Sequence, residues 1–598
     1  MDNHKYTVNQ HFISTVLAWV KSGEIAIPEI QRPFVWESTK VRDLMDSLYQ
    51  GFPIGYLIAW QNPTIRMKDG TLSKGKKILI DGQQRVTALK TALLGDQVIN
   101  KDYKKIKIRI AFQPLEGKFE VSNTAIACDP LWIPDIAVIF SGNFSIFEYV
   151  EEYCTKNPGC DRRHIAKQIE NLWNISNKQV GLIELNSDLY IEMVTEIFIR
   201  INSQGVVLSQ ADFAMSKIAA NESYGGSTLR KCIDYFCHMA AAPEFYNTIN
   251  EVDQKFAQTD FFQKISWLKN ETDDIYDPDY TDMLRVAFTS EFGRGRLSDL
   301  VSLLSGRNFV TKTYEEEIAR ESFAKLEKGV LRFINEYDFK RFLMIIRSAG
   351  FISSSLIRSR NTLNFAYIVY LKLKSAGYKS ADIERGVRRW YVMSVLTGRY
   401  SSAPESQFDL DIRRIAEEEF FQHLATVEEG ELSDAFWNVE LVENLNSSVY
   451  SSPYFNVFLA AQVKSKDKGF LSRDITVHDL IEIKGDVHHV FPRDYLKRQG
   501  FKKGQYNQIA NYVYMQSEIN IAIGSKAPRI YMQELMHQCQ GGPTQYGGIT
   551  DLAQLRQNFA MNCVPESLLD APDENYDAFL KERRQLMARK IRHYYISL

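Results

Sequence analysis

The chain has 598 residues, 45% of them hydrophobic and 24% charged, which is too long for a single core and ordinary for a globular protein of several domains. Its formal net charge of −2 excludes a global positive field, so any contact with DNA must come from local basic patches. Seven cysteines form no C-x-x-C pair, which argues against a zinc ribbon or a disulfide framework and favours a reducing compartment. No stretch has the apolar length of a signal peptide or a membrane span, so we expect a cytoplasmic protein without a membrane partner.

The first elements along the chain are a helix and a segment bounded by prolines. Apolar side chains recur at helical spacing over residues 10–20, and this pattern predicts an amphipathic helix. Pro28 and Pro33 then flank Gln31 and Arg32, so this segment must be extended or turning. Two interpretations stay open: a solvated loop, or a loop whose pre-positioned arginine binds an anion.

A strand–turn–helix junction follows. A short apolar run ends in the turn residues Asp81 and Gly82, and Gln83, Gln84 and Arg85 then open a helix with an apolar face. The first turn of a helix has unpaired N–H groups and attracts phosphate, and the guanidinium of Arg85 adds a planar set of donors. The carboxylate of Asp81 could hold a metal ion or a water molecule. An ordinary junction with a surface arginine fits the same pattern, because this signal alone is weak.

Three segments, in this order and at this spacing, carry a resemblance to a known family: IPEIQRPFVW, IDGQQRVTAL and FIRINSQGVVLS. Together they resemble the large bacterial family marked by a DGQQR motif, whose fold is similar to those of ParB and sulfiredoxin. That family includes the GmrSD-type modification-dependent restriction enzymes and phosphorothioate-sensing defence proteins. The resemblance implies an N-terminal α/β domain, residues 1–220, that binds and hydrolyses a nucleoside triphosphate, with GTP expected before other nucleotides. It assigns nucleotide binding to Gln31, Arg32, Asp81, Gly82, Gln83, Gln84 and Arg85. It implies catalytic roles for two of these residues, Asp81 and Arg85.

Residues 221–465 are predicted to be mostly helical. Long apolar faces that end at glycine occupy residues 361–377 and 381–398, a pattern typical of buried helices. For each arginine near the second helix we expect a salt bridge on a helix face ahead of a phosphate contact. The polar residues concerned are Arg388, Arg389, Arg399 and Tyr400.

The C-terminal region, residues 466–598, brings together several nitrogen and oxygen donors. His488 and His489 lie in a predicted strand, Asn511 begins a second predicted strand, and Asn520 lies on a short helix. Such a ββα arrangement can bring one histidine and one asparagine to a single metal ion. Hydrolysis of a phosphodiester needs a base that deprotonates water, and a neutral histidine does this near pH 7. We assign His489 as the base, Asn511 as the residue that orients it or holds its loop, and Asn520 as a metal ligand.

This pattern is similar to that of the HNH nucleases that follow DGQQR domains, which have an acidic residue before the histidine and two asparagines nine positions apart. The chain departs from it at His488, where Asp or Glu is usual. The resemblance implies cleavage of DNA with a divalent metal ion, Mg²⁺ or Mn²⁺, held by His488 and Asn520. Because imidazole is a poor ligand for Mg²⁺, the identity of the metal stays open, and a degenerate site fits as well. Lys526 and Arg529 are predicted to contact the DNA backbone.

The predictions combine into an α+β multidomain protein. Its parts are a ParB/sulfiredoxin-like sensor domain at 1–220, a helical connector at 221–465, and a ββα-metal (HNH) nuclease domain at 466–598, embedded in helices. We expect a bacterial anti-phage endonuclease or nickase that senses modified or phage DNA, depends on a nucleoside triphosphate, and could form a homodimer. One alternative is a phosphorothioate-sensing nickase that works with a DNA-sulfur modification system. The other is a non-catalytic, nucleotide-switched DNA-binding regulator with a degenerate HNH site.

Overall fold

The structure is a computed structural model, and it describes residues 5–26, 36–61, 77–99, 105–141, 144–186, 189, 193–194, 197, 209–313, 315–483, 485, 487–570 and 575–598. The predictions for Gln31 and Arg32 lie outside the described residues. The chain divides into two compact units, Met1–Glu222 and Ser223–Leu598. The predicted boundary between residues 465 and 466 falls inside the second unit.

The first unit is built on a mixed sheet. Its described strands are β1 Tyr6–Phe12, β2 Ile25–Ala26, β3 Leu57–Gln61, β4 Lys77–Asp81, β5 Val98–Ile99, β6 Lys105–Ile106, β7 Ile110–Gln113, β8 Lys118–Val121 and β9 Gln179–Leu185. Five of these described strands form one sheet in the order β1-β9-β3-β4-β2. β1 pairs antiparallel with β9 and β3 antiparallel with β4, whereas β9–β3 and β4–β2 are parallel. β5–β6 and β7–β8 are separate antiparallel pairs.

The described α-helices of this unit are Ile13–Ser22, Ser38–Gln50, Gln83–Leu94, Thr124–Cys128, Ile146–Lys156, Arg162–Trp173 and Gln210–Ala220. Short 3₁₀ helices occupy Ile136–Phe140 and Asn174–Asn177. The helix predicted at residues 10–20 begins only at Ile13, because the preceding residues form β1 at the edge of the sheet. One face of the sheet is covered by apolar side chains that include Val16 of the first helix and Val86 of the third, packed on Leu79.

The second unit is mostly helical, as predicted for the middle of the chain. Up to residue 482 its described α-helices are Gly226–Ala241, Phe245–Val252, Gln254–Ala257, Asp260–Ile265, Tyr280–Phe292, Leu297–Leu304, Glu316–Phe333, Glu336–Ser348, Arg360–Ser375, Ser380–Thr397, Pro404–Glu417, Phe420–Glu431, Leu441–Asn444, Pro453–Lys464 and Val477–Glu482. Single 3₁₀ turns lie at Glu222–Tyr224, Ser266–Asn270 and Ser354–Leu356, and a π-helical turn lies at Phe436–Glu440. The helices predicted at 361–377 and 381–398 are confirmed to within two residues.

The C-terminal part of this unit contains a short hairpin between helices. β10 Val487–His489 pairs antiparallel with β11 Tyr512–Tyr514, and the helix Ser517–Ile523 follows β11 directly. The remaining helices are Arg493–Arg498, Lys503–Tyr506, Pro528–Cys539, Leu552–Met561, Ser567–Asp570 and Tyr576–Ile596, with a 3₁₀ turn at Ile509–Asn511. The order strand, strand, helix is the predicted one, and its assignment as an HNH domain stays a prediction.

The fold is therefore mixed α and β, with more than one compact unit, in agreement with the predicted class. A ParB/sulfiredoxin-like identity for the first unit stays a prediction. Among the described residues, no helix combines the length and the apolar character needed to cross a bilayer.

Candidate functional site

The DGQQR segment lies where strand β4 passes into a helix. Asp81 is the last residue of β4, Gly82 is the N-cap, and Gln83 is the first helical residue. Gln83 folds back along the strand, and its Nε2 donates to the carbonyl of Leu79 at 2.8 Å. Gln84 is half-buried in the first helical turn. The predicted junction is confirmed, and it places the N-terminal end of a twelve-residue helix directly after the motif aspartate.

Arg85 is bonded to the end of β4 and to the segment that precedes β3. Its Nη2 donates to Asp81 Oδ2 at 2.8 Å, and its Nη1 donates to the carbonyl of Ile54 at 3.0 Å. The side chains of Arg85 and Asp81 keep 18% and 25% of their exposure, so the ion pair is partly buried. Such a pair can act as a structural clamp, or it can open and present a cation and a carboxylate to a polyphosphate.

The position of Gly82 favours glycine for two reasons, its backbone conformation and the lack of space for a side chain. Gly82 has a φ of 90°, in the left-handed region, and a Cβ atom there would lie 2.2 Å from Leu57 Cδ2. Gly95, at the other end of the same helix, has a φ of 72°, but a Cβ there would meet no atom nearer than 3.5 Å. Gly82 therefore sets how closely β3 approaches the start of the helix.

His489 ends strand β10 and is paired with Tyr512 across the hairpin. The ring of Tyr512 packs edge-on against the imidazole, with 5.1 Å between ring centroids. His489 Nε2 lies 3.0 Å from Asn507 Oδ1, a contact between residues 18 positions apart that no pattern in the sequence predicted. Nδ1, the other ring nitrogen, makes no hydrogen bond to any described residue and is not sealed from solvent.

Asn511 is fully buried and bonds to two segments at once. Its Oδ1 accepts from the N–H of Phe491 at 2.8 Å, and its Nδ2 donates to the carbonyls of Phe491 and Tyr506 at 3.1 and 3.2 Å. Phe491 follows His489 by two residues, and Tyr506 directly precedes Asn507. These bonds are those of a residue that holds the loop, and a catalytic role for Asn511 stays a prediction.

An arginine in the helix Tyr576–Ile596 holds the same hairpin from the core side. Arg583 is 0% exposed, and its Nη1 and Nη2 donate to the carbonyls of Ala510 and Tyr512 at 2.8 and 2.7 Å. Nη2 also lies 3.2 Å from the carbonyl of Asn562. Burial lowers the pKa of Arg583 to about 10, because carbonyl groups replace water only in part around the charge.

The surroundings of His489 favour its neutral form. Burial is the largest cause and lowers the pKa of His489 below its usual value, and the bond to Asn507 raises it in part. The neighbouring charges of Arg493 and His488 lower the pKa further, whereas Asp494 raises it. A neutral imidazole at pH 7 is the form that can accept a proton.

His488 and Asn520 are the residues predicted to hold a metal ion. His488 is paired with Val513 and directly precedes His489 on the three-residue strand β10. Asn520 is half-buried on the helix that follows β11. Within the described part of the chain there is no cluster of three His, Cys, Asp or Glu side chains that could hold a metal ion. One imidazole and one amide oxygen fit Mn²⁺ better than Mg²⁺, with water and phosphate oxygens completing the coordination.

The segment between His489 and Asn507 is strongly basic. Residues 493–503 contain one acidic residue, Asp494, and five exposed basic residues. The basic residues are Arg493, Lys497, Arg498, Lys502 and Lys503. This segment is a local positive patch, although the net charge of the whole chain is −2. Exposed cations clustered in this way can contact the phosphate backbone of DNA.

The two residues predicted to contact DNA have different surroundings. The ammonium of Lys526 is 2.7 Å from Glu534 Oε2 and 2.6 Å from the hydroxyl of Tyr546, so its charge is largely neutralised in place. Arg529 is exposed at the start of the helix Pro528–Cys539. DNA contact by either residue stays a prediction.

In the helical middle of the chain, the expected salt bridges are present. Arg389 is 2.7 Å from Glu428, and Arg399 is 2.6 Å from the buried carboxylate of Asp411, which also accepts from the hydroxyl of Tyr400. Arg388 lies 3.5 Å from Glu384. The salt-bridge alternative is therefore confirmed for these arginines, and Tyr400 is a buried core residue.

Comparison with known proteins supports a class for the first unit. Residues 13–219 match the family described as GmrSD restriction endonuclease, N-terminal domain, a span that contains Asp81 and Arg85. The match supports a restriction endonuclease type of protein, with DNA as a partner. An uncharacterized protein of Methanocaldococcus jannaschii is 22% identical to this chain, and the alignment covers 95% of this chain and 96% of that protein. The similarity to this relative therefore runs through both units.

Proposed function

We propose that the protein is a DNA endonuclease or nickase of the restriction type. A nucleoside triphosphate, which we expect to be GTP, controls its cleavage of modified or phage DNA. The N-terminal unit binds and hydrolyses the nucleotide, and the β10–β11 hairpin carries the nuclease site. The observation that carries the proposal is His489: a half-buried histidine with one ring nitrogen bonded and the other open, in a chain whose first unit matches a restriction endonuclease domain.

In the proposed cleavage step, neutral His489 takes a proton from water through Nδ1. The water oxygen bonds to phosphorus, the bond from phosphorus to the leaving oxygen breaks, and that oxygen takes a proton from solvent. His488 and Asn520 would hold a divalent cation, which when bound offsets the negative charge of the phosphate. The exposed basic residues of the 493–503 segment position the DNA backbone without reading its sequence.

In the proposed nucleotide site, the polyphosphate lies at the start of the helix Gln83–Leu94. The N–H groups of the first turn and the guanidinium of Arg85 bind phosphate oxygens. Asp81 is then released from its ion pair with Arg85 and orients the attacking water or a counter-ion. The absence of a Cβ atom at Gly82 lets Leu57 of β3 lie close to the start of this helix.

Nicking of supercoiled plasmid tests the nuclease. Modified and unmodified plasmids are incubated with the full chain, with and without GTP, in Mg²⁺ and in Mn²⁺. His489→Ala should lose at least about 100-fold in rate, whereas His478→Ala, an exposed histidine beside Asp479 and Glu482, should match the wild type. If neither plasmid is nicked with either metal, the nuclease proposal fails and the non-catalytic regulator takes its place.

Hydrolysis of GTP and ATP tests the N-terminal site. Arg85→Ala should hydrolyse nucleotide well below the wild-type rate, because it loses the charge that would contact phosphate. Arg42→Ala is the matched control, since Arg42 is a partly exposed arginine of the same unit, paired with Asp43 and Glu120. Equal hydrolysis by Arg85→Ala and the wild type would remove Arg85 from the site.

A further inference from the structure

The contact between His489 and Asn507 gives the two ring nitrogens different roles. Nε2 lies 3.0 Å from the amide oxygen Oδ1, and an amide oxygen accepts hydrogen bonds but does not donate them. In the neutral ring, Nε2 therefore carries the hydrogen, and the lone pair is on Nδ1. Nδ1 bonds to no described residue, so this lone pair is open to water.

Asn507 is held in place independently of His489. The carbonyl of the preceding residue, Tyr506, accepts from Asn511 Nδ2 at 3.2 Å and from the hydroxyl of Tyr576 at 3.3 Å. Asn511 also bonds the backbone two residues after His489. The buried side-chain amide of Asn511 therefore ties the backbone next to His489 to the backbone next to Asn507. These bonds fix the distance between the His489 and Asn507 side chains.

The groups that face His489 come from three elements. His488 lies on the same strand, Arg493 and Asp494 open the following helix, and the ring of Tyr512 packs from β11. Arg493 and His488 disfavour a charged imidazole, and the carboxylate of Asp494 favours it. Asn507 is the group that bonds the ring directly, so it orients the ring as well as contributing to its charge balance.

We propose that Asn507 is the positioning residue of the nuclease site: it accepts the Nε2 hydrogen of His489 and so keeps the Nδ1 lone pair aimed at water. The inference rests on the proposed nuclease function. In the cleavage step the water oxygen bonds to phosphorus, its proton passes to Nδ1, the bond from phosphorus to the leaving oxygen breaks, and that oxygen takes a proton from solvent. The imidazolium that forms shares its charge with the amide oxygen of Asn507, which stabilises it as the proton arrives.

Nitrogen NMR of the full chain, labelled with ¹⁵N-histidine, tests the contact without any need for activity. The His489 signals are identified by their loss in His489→Ala. At pH 8 the wild type should show a protonated Nε2 and an unprotonated Nδ1, and Asn507→Ala should show both tautomers. Asn507→Asp keeps an oxygen acceptor at this place, so it should retain the protonated Nε2 and the unprotonated Nδ1 of the wild type. A protonated Nδ1 in the wild type, or an unchanged spectrum in Asn507→Ala, overturns the inference.

Kinetics of plasmid nicking then separate positioning from packing. Asn507→Ala should lower kcat about tenfold with KM for plasmid unchanged. Asn507→Asp, which keeps an oxygen acceptor, should retain most of the wild-type kcat, whereas Asn507→Leu, of similar size but without an acceptor, should lose as much as Asn507→Ala, a difference that a packing role would not produce. Gln508→Ala is the control, since the amide of Gln508 donates instead to the carbonyl of Gly504 at 2.7 Å.

The outcomes keep the two proposals apart. If the wild type nicks DNA and Asn507→Ala nicks it equally well, the positioning role is wrong although the nuclease stands. If the wild type does not nick DNA, the proposed function fails, the catalytic role of Asn507 fails with it, and the NMR experiment still decides whether Asn507 fixes the tautomer.

Discussion

Replacement of Asn511 by alanine should open the loop that carries the proposed base. The side chain is fully buried and makes three hydrogen bonds, two to the backbone of Phe491 and one to the carbonyl of Tyr506. A buried hydrogen bond contributes about 1 kcal/mol net, so the loss is about 3 kcal/mol, before any penalty for leaving the Phe491 N–H unpaired. A loss of about 3 kcal/mol raises the equilibrium constant for local opening by about 100-fold.

Hydrogen exchange measures this opening directly. The amide of Val490 donates to the backbone carbonyl of Asn511 at 2.9 Å, a bond that the alanine variant keeps, so exchange over residues 490–491 reports the opening of the loop and not the unfolding of the whole chain. Mass spectrometry of peptides that contain residue 491 should show exchange about 100-fold faster in Asn511→Ala. Asn157→Ala is the control: Asn157 also bonds two backbone carbonyls, but in the first unit. Unchanged exchange at residue 491 in Asn511→Ala would refute the energetic role given to these bonds.

Three further predictions concern other parts of the chain. Gly82→Ala should lower the thermal midpoint of the first unit and weaken nucleotide binding, because a left-handed backbone and a close contact both oppose a Cβ atom; Gly95→Ala, left-handed but uncrowded, should cost only about 1 kcal/mol, and equal midpoints would contradict the crowding. Arg85→Lys keeps the charge but not the planar fork, so nucleotide hydrolysis should fall about tenfold, and full activity would show that the fork is not used. Burial lowers the pKa of His238 to about 3, so this neutral histidine contributes stability above pH 6.5 that is lost as the pH falls toward 3. Urea unfolding of the second unit should lose about 2 kcal/mol between pH 7 and pH 5 through this group, and an equally steep loss in His238→Phe would refute the assignment.

The parts of the fold that the sequence predicted correctly are those with local signals. The junction from β4 through Gly82 to the helix is encoded within about twenty residues, by an apolar run, a turn dipeptide and a closing glycine. The long helices of the middle region likewise carry their own apolar faces and their own ends. Strand β1 was missed because six of its seven residues are exposed and one is half-buried, which leaves no alternation of buried and exposed positions. Residues 6–12 form a strand because they pair with β9, which lies far along the chain.

The sequence predicted only those residues of the candidate site that belong to a recognisable motif. The histidine pair and the two asparagines follow a spacing that reads directly from the sequence. Asn507 does not, because it sits in a loop and meets His489 across 18 positions. Arg583 gave the opposite signal, since a basic residue on a helix suggests a surface, yet it is buried with partners 71 to 73 positions away. Contacts of this range depend on tertiary packing, which no local pattern records.

Arg583 also sets an order of events during synthesis. The ribosome completes both strands of the hairpin about seventy residues before it adds the arginine that binds the carbonyls of Ala510 and Tyr512. Until the helix Tyr576–Ile596 has emerged and packed, these carbonyls lack their buried donor, and the loop around Asn511 lacks its support from the core. A nascent chain, or one truncated by a premature stop codon, would thus carry the histidines of the site without the backing that aligns them. If the chain is the nuclease proposed above, late completion of this hairpin's support would keep unfinished copies from cutting the DNA of the cell that makes them.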